Sequence, residues 1–157
     1  MPSVLFVCTA NIIRSPMAEA FLKQQVGDRI QPQTWEVSSA GTWAQAGHPS
    51  HKIPLELMGE LGIDMRGHRS REVNESLLAA SDIILVMEQG HKEALCAEFP
   101  KHAEKIFLLS EVGGKIRDIV DPVGGSLVDY KATLVEIRNY LQDAPARILA
   151  FMQKQEL

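Results

Sequence analysis

The stretch Val4–Pro16, VLFVCTANIIRSP, decides how the rest of the chain is read. Four apolar residues with the look of a buried strand run into a cysteine, a polar turn, an arginine and then Ser-Pro. If 4–7 is a strand of a parallel sheet, Cys8 stands at its carboxyl end, where open α/β sheets bind their ligands. The residues after it must turn the chain into a helix, so several main-chain N–H groups can converge on one centre and make a nest for an anion. Ser15 can cap that helix and Pro16 suits its first turn, while Met17, Phe21 and Leu22 supply an apolar stripe, so the spacing predicts a helix over 15–26. The partial positive charge of its amino end favours a bound phosphate-like group and favours the thiolate form of Cys8. Arg14 can lay a planar fork across two oxygens of the same anion, which lysine does less well. Together these parts suit nucleophilic attack on a phosphate monoester. A lone cysteine at a strand end is ordinarily core filler; Thr9, Asn11 and the Ser-Pro start are what favour chemistry.

Working outward, further apolar runs bounded by turn residues predict strands over 35–38, 82–87 and 105–109. Three of the four strands are almost continuously apolar, as strands buried on both faces must be. Helical periodicity covers 54–61, 74–80 and 90–99, and a long pattern starts near Leu127 with Tyr130, Leu134, Ile137 and Leu141 in register. Pro145 is expected to kink or split it. Strands alternating with helices predict an α/β fold, a three-layer α/β/α arrangement with a four-stranded parallel sheet and helices on both faces. The 157 residues contain no repeat and no Gly-, Pro- or Ser-rich linker, so one domain over 1–157 is expected. The longest irregular piece is 110–126, and long loops in compact domains are often functional.

Composition narrows the partners. A formal charge of −4 without a long basic run argues against nucleic acid or an anionic membrane surface as the main partner. No apolar stretch approaches a membrane span and no basic leader precedes the apolar residues after Met1, so a cytoplasmic protein without membrane insertion is expected. Two cysteines, Cys8 and Cys96, are too few for a disulfide framework. There is no Cys-x-x-Cys pair, and His48, His51, His68, His91 and His102 lack ligand spacing to either cysteine, so no metal is expected.

A phosphate ester's leaving oxygen needs a proton, and a loop carboxylic acid is a common source. Asp121, in Ile119–Ser126 (IVDPVGGS), is the leading candidate, with Asp118 as its local competitor. Asp-Pro is equally a turn signal with no chemistry.

These residues resemble the low-molecular-weight protein tyrosine phosphatases along nearly the whole chain. CTANIIRSP at 8–16 is similar to that family's phosphate-binding signature, SSAGT at 38–42 to the segment after its second strand, and Asp121-Pro122 to its late acid loop. The order agrees, cysteine loop first and acid last. The resemblance implies hydrolysis of protein phosphotyrosine and aryl phosphates through a phosphocysteine at Cys8, with Arg14 holding the equatorial oxygens and Asp121 as acid, then base. It implies that the amides of Thr9, Ala10, Asn11, Ile12, Ile13, Arg14 and Ser15 line the cradle and that Asn11, Ser15 and Ser39 support it, with the Ser15 hydroxyl also placed to assist the thiolate. No cofactor is implied. The implied partners are a phosphotyrosine protein, at family level a bacterial tyrosine kinase, and inhibitory phosphate or other oxyanions.

The chain departs from the family pattern in places. Ala10 stands where glycine is usual, which would be costly if that position needed positive φ. Ile13 replaces a frequent second cysteine that can trap the oxidised nucleophile. Val123 and Gly124 stand where tyrosines often wall the substrate slot, leaving Trp43 as the candidate aromatic wall or else a partly buried loop residue. The run Arg66, His68, Arg69, Arg71 could touch an acidic or phosphorylated partner, but solvated surface is the favoured reading. Two other functions fit in outline: an arsenate reductase of the same fold, for which Cys96 alone makes an incomplete thiol relay, and a non-catalytic phosphate-binding regulator.

Overall fold

Alternation of side chains along buried strands sorts the core into two halves. The strands β1 (Ser3–Cys8), β2 (Glu36–Gly41), β3 (Ile83–Val86) and β4 (Ile106–Leu108) form one parallel sheet in the order β2-β1-β3-β4. The structure, a computed structural model, describes residues 1–27 and 34–156. β1 lies in the middle and is buried throughout, with Val4 beside Val37 on one side and Ile83 on the other. Val4, Phe6, Cys8, Ile83 and Leu85 project to one face. There they pack with α1 (Arg14–Gly27), α2 (Lys52–Glu60), α6 (Leu127–Tyr140) and α7 (Ala144–Gln155). Leu5, Val7, Ile84, Val86, Ile106 and Leu108 project to the other, against α3 (Glu75–Ala79) and α4 (Gln89–Glu98). This is the expected three-layer α/β/α arrangement, with the reversal of strand order beside β1 opening a crevice at the carboxyl ends of β1 and β3.

The boundaries differ from the expected ones for physical reasons. β2 runs on to Gly41, past the predicted end at 38, because the small residues Ala40 and Gly41 allow the loop after β1 to lie against them. One turn of helix, α5 (Leu109–Val112), shortens the irregular connection to 113–126. α6 then starts on a reciprocal cap, in which Ser126 Oγ accepts the Asp129 N–H and the Asp129 carboxylate accepts the Ser126 N–H. The last helical pattern breaks ahead of Pro145, at Leu141–Asp143, where Asp143 takes φ 53°. Pro145 falls in the first turn of α7, where its missing N–H costs nothing. Gln25 of α1 spans the break, donating to Leu141 O at 2.6 Å and accepting from Ala144 N at 3.0 Å. No described helix is long and apolar enough to cross a membrane.

Gly41 marks the tightest approach between the sheet and the loop after β1. An added Cβ would strike the Thr9 carbonyl oxygen and stand 2.9 Å from Ala44 Cβ and 3.1 Å from Asn11 N. Gly41→Ala is therefore expected to cost about 1–3 kcal/mol in urea unfolding and to weaken vanadate binding, because the backbone that must give way is the loop itself. Unchanged unfolding and vanadate affinity would show that the loop does not depend on this contact.

Candidate active site

The loop after β1 turns its carbonyls outward to neighbours. Cys8 O accepts from Thr42 N and Thr9 O from Trp43 N, each at 2.9 Å, and Ile12 O accepts from His51 N at 2.8 Å. Asn11 O lies 2.7 Å from His68 Nε2, and since a carbonyl can only accept, that nitrogen donates. Among the described residues the N–H groups of Thr9–Ile13 meet no protein acceptor. They and the free N–H groups of the first turn of α1 are donors left for an anion.

Asn11 holds this shape. It is the residue in the left-handed region, with φ 58°, and Ala10 is not. Alanine in place of the family glycine therefore carries no positive-φ penalty, while asparagine is among the residues that tolerate αL best. The buried Asn11 Nδ2 donates to Ser15 Oγ at 2.8 Å and Ser39 Oγ at 2.9 Å, and Oδ1 accepts from Arg71 N at 3.1 Å. With Asn11 donating to both hydroxyls, each keeps its own hydrogen for another acceptor. Ser39 donates to the Glu19 carboxylate at 2.5 Å, and Ser15 faces Cys8 Sγ at 2.9 Å. A hydroxyl aimed at sulfur stabilises the thiolate. Ser15 is thus not the helix cap expected of it: α1 already includes Arg14, and the hydroxyl serves the cysteine.

Arg14 is 1% exposed, and a buried guanidinium requires partners. Nη1 donates to the Glu88 carboxylate at 2.5 Å and to Ile119 O at 2.7 Å. Nη2 has only longer contacts, 3.4 Å to both Thr9 Oγ1 and Asp121 Oδ2, and Nε has no acceptor among the described residues. One terminal nitrogen is pinned while the Nε–Nη2 edge is loosely held or free, and that edge is the one that grips two oxygens of an anion.

The two candidate acids separate. Asp118 Oδ1 accepts the Gln89 N–H at the start of α4, whereas Asp121 reaches Arg14 and steadies its turn by accepting from Val123 N at 3.0 Å. Trp43 is 83% exposed, so it is not a partly buried loop residue, and its main chain is tied to Thr9. The basic run is mostly solvated surface, as expected, with Arg66, Arg69 and Arg71 exposed. Arg66 pairs with Asp64 at 3.0 Å and Arg69 with nearby carbonyls. His68, half-buried, turns inward to Asn11 O, while the exposed Arg71 gives its main-chain N–H to Asn11 Oδ1 and its Nε–H to Ser39 O. Glu19, Glu88 and His91 were not singled out from the sequence. The usable signal was Glu88 and His91 three apart, just past a buried strand adjacent to β1.

Cys8 packs on one face of the sheet and Cys96, on α4, against the other; both are free thiols. The sheet between them rules out a direct relay within the folded chain, against the arsenate reductase alternative. Ile13 is buried beside Cys8 in the same core and offers no thiol. Among the described residues no group of three or more His, Cys, Asp and Glu side chains could hold a metal ion.

The fold and this loop define a class: cysteine-dependent phosphatases whose cysteine loop opens the chain. The profile of the family described as low molecular weight phosphotyrosine protein phosphatase matches residues 3–154, and the chain belongs to that family. A protein-arginine-phosphatase of Bacillus subtilis is 35% identical over 88% of this chain and 91% of its own. A probable low molecular weight protein-tyrosine-phosphatase, EpsP, of Ralstonia nicotianae is 34% identical over 94% and 97%. The solved structure of the arginine phosphatase YwlE as a Cys-to-Ser mutant with a phosphorylated active-site serine superposes with a TM-score of 0.84, at 33% identity and covering 97% of this chain and 95% of that one.

With Ile13 in the loop and Cys96 across the sheet, an oxidised Cys8 has no neighbour to trap it as a disulfide. Prolonged peroxide is expected to carry it to the sulfinic and sulfonic acids, seen as mass added on Cys8 and activity that dithiothreitol does not restore. Full recovery with dithiothreitol would contradict this.

Proposed function

We propose that residues 1–157 act as one phosphatase domain that hydrolyses phosphotyrosine in proteins, in the cytoplasm. The Cys8 thiolate attacks phosphorus while the loop amides and the Nε–Nη2 edge of Arg14 hold the non-bridging oxygens. Asp121 gives its proton to the leaving phenolic oxygen, producing tyrosine and a phosphocysteine. It then takes a proton from the water that attacks the phosphocysteine, releasing inorganic phosphate and the thiolate. The observation that carries this reading is the half-pinned Arg14, with Asp121 on its loosely held side. The phosphorylated active-site serine of the YwlE mutant supports a covalent phosphoenzyme.

Exposed apolar side chains favour an aryl substrate: Trp43 follows the loop's partner strand, and Val120 and Val123 flank Asp121 in sequence. A phenyl ring can lie against such surfaces. A tyrosine-phosphorylated protein, such as a bacterial tyrosine kinase, is the partner class this supports. Phosphate and vanadate are expected to compete with substrate.

Hydrolysis of p-nitrophenyl phosphate with and without EDTA tests the reading. Turnover should survive EDTA, vanish in Cys8→Ser and be inhibited competitively by vanadate. Asp121→Asn should lower turnover about 10²–10⁴-fold on esters with poor leaving groups and much less on activated ones; equal losses on both would remove its acid role. Phosphotyrosine peptides should be cleaved in preference to phosphoarginine peptides, and the reverse preference would move this chain to the substrate named for its Bacillus relative.

A further inference from the structure

His91 has no part in the chemistry above, yet it is buried at the start of α4 with both ring nitrogens engaged beside Arg14. Nδ1 accepts the main-chain N–H of Glu88 at 3.1 Å. A ring nitrogen that accepts carries no proton, so the neutral ring has its proton on Nε2 and donates it to Thr9 Oγ1 at 2.8 Å. Thr9 Oγ1 is also 3.4 Å from Arg14 Nη2, and the Glu88 carboxylate holds Nη1. One imidazole therefore ties the Thr9 hydroxyl of the loop and the main chain of Glu88 at the head of α4, the two residues that border the guanidinium. Because Thr9 Oγ1 receives hydrogens from two donors, its own hydrogen is left for a third group, which in an occupied cradle is an oxyanion.

We propose that His91 is a positioning residue for the phosphatase reaction: as the neutral Nε2–H tautomer it holds Thr9 and Glu88, and through them Arg14, in the oxyanion-binding arrangement, and a second proton on the ring undoes that hold. The inference rests on the reading of Arg14 as the oxyanion binder. A doubly protonated ring would set an Nδ1–H against the Glu88 N–H, donor facing donor, so the ring or the 88–91 turn must move. The charged groups facing the ring come from three elements: Arg14 of α1, Glu88 at the head of α4, and Asp118 and Asp121 of the acid loop. Burial first, then Arg14, push the imidazole below the ordinary histidine range, against the opposing pull of the three carboxylates. The folded state thus binds this proton less readily than the unfolded chain does. The stability His91 contributes is complete above the ordinary histidine range and is lost as pH falls through its lowered value.

Two measurements test this. In ¹⁵N-histidine-labelled wild-type protein at neutral pH, the His91 signals should show Nε2 protonated and Nδ1 bare; the opposite tautomer or a doubly protonated ring overturns the proposal. The second is kcat/KM for p-nitrophenyl phosphate against pH in wild type, His91→Asn and His91→Gln. Asparagine keeps an acceptor near Nδ1 and glutamine a donor near Nε2, so each preserves one half of the link. Each is expected to lose about tenfold at neutral pH, the scale of one lost hydrogen bond, and each should lack the extra fall, of about that size, that makes the wild-type acid limb steeper as His91 takes its second proton. The ionisation of the substrate itself is common to all three profiles. Acid limbs of equal steepness in all three overturn the proposal. If wild type hydrolyses no aryl phosphate, the reading of Arg14 fails; if it does and the variants keep its acid limb, only the role of His91 fails. Should the variants not fold, the tautomer of the wild-type ring decides.

Discussion

A loop that leaves its N–H groups unpaired and bends a non-glycine residue into the left-handed region is unstable on its own. The Asn11 carboxamide makes it persist. Both of its amide hydrogens and its oxygen are used, and its partners lie on α1, on β2 and in the segment before α3. The same bonds fix where the hydrogens of Ser15 and Ser39 go, so the geometry of the loop and the hydrogen supplied to the Cys8 sulfur depend on one side chain. Around it the carbonyls of Cys8, Thr9, Asn11 and Ile12 are each taken by a different residue, which keeps them out of the hollow. The site is held from outside, and its interior donors stay uncommitted.

The arginine follows a related logic. A guanidinium withdrawn from water would be costly without countercharge. Glu88 supplies it from the head of α4, two residues past β3, which the strand order sets beside β1. Asp121 supplies less, at 3.4 Å. A close pair anchors and a long pair can be exchanged when a substrate dianion enters. Small residues where β2 passes the loop complete the support, since a methyl group at Gly41 would occupy space that the loop backbone fills.

How much of this could be read from the chain depended on sequence distance. The four strands, the helix after Cys8 and the pairing of Cys8 with Arg14 are local patterns, and apolar runs or short spacings reveal them. Asp121 was legible through its Pro-Gly surroundings, although only the fold separates it from Asp118, whose oxygen is spent on the Gln89 N–H. Glu88 and His91 sit in a polar stretch that reads like any solvated helix start, because nothing within 70 residues of them announces Arg14. His68 and Arg71 were hidden similarly inside a basic run, where the direction of each side chain is set by the turn and not by composition. Ser15 before proline reads locally as a cap, and only the family resemblance points to its hydroxyl beside the sulfur, the contact that the fold makes.

The span between Arg14 and its partners has a consequence for biosynthesis. Cys8 and Arg14 are close in the chain, but Glu88 follows Arg14 by 74 positions and Asp121 follows it by 107. Until those residues have emerged, the nascent chain carries an ordinary thiol, with neither the folded loop and helix start that favour its thiolate nor a closed hollow around it. The hollow is complete only once the loop that carries Asp121 has emerged and docked. The sulfur thus gains its reactivity at the same step that builds the hollow which uses it.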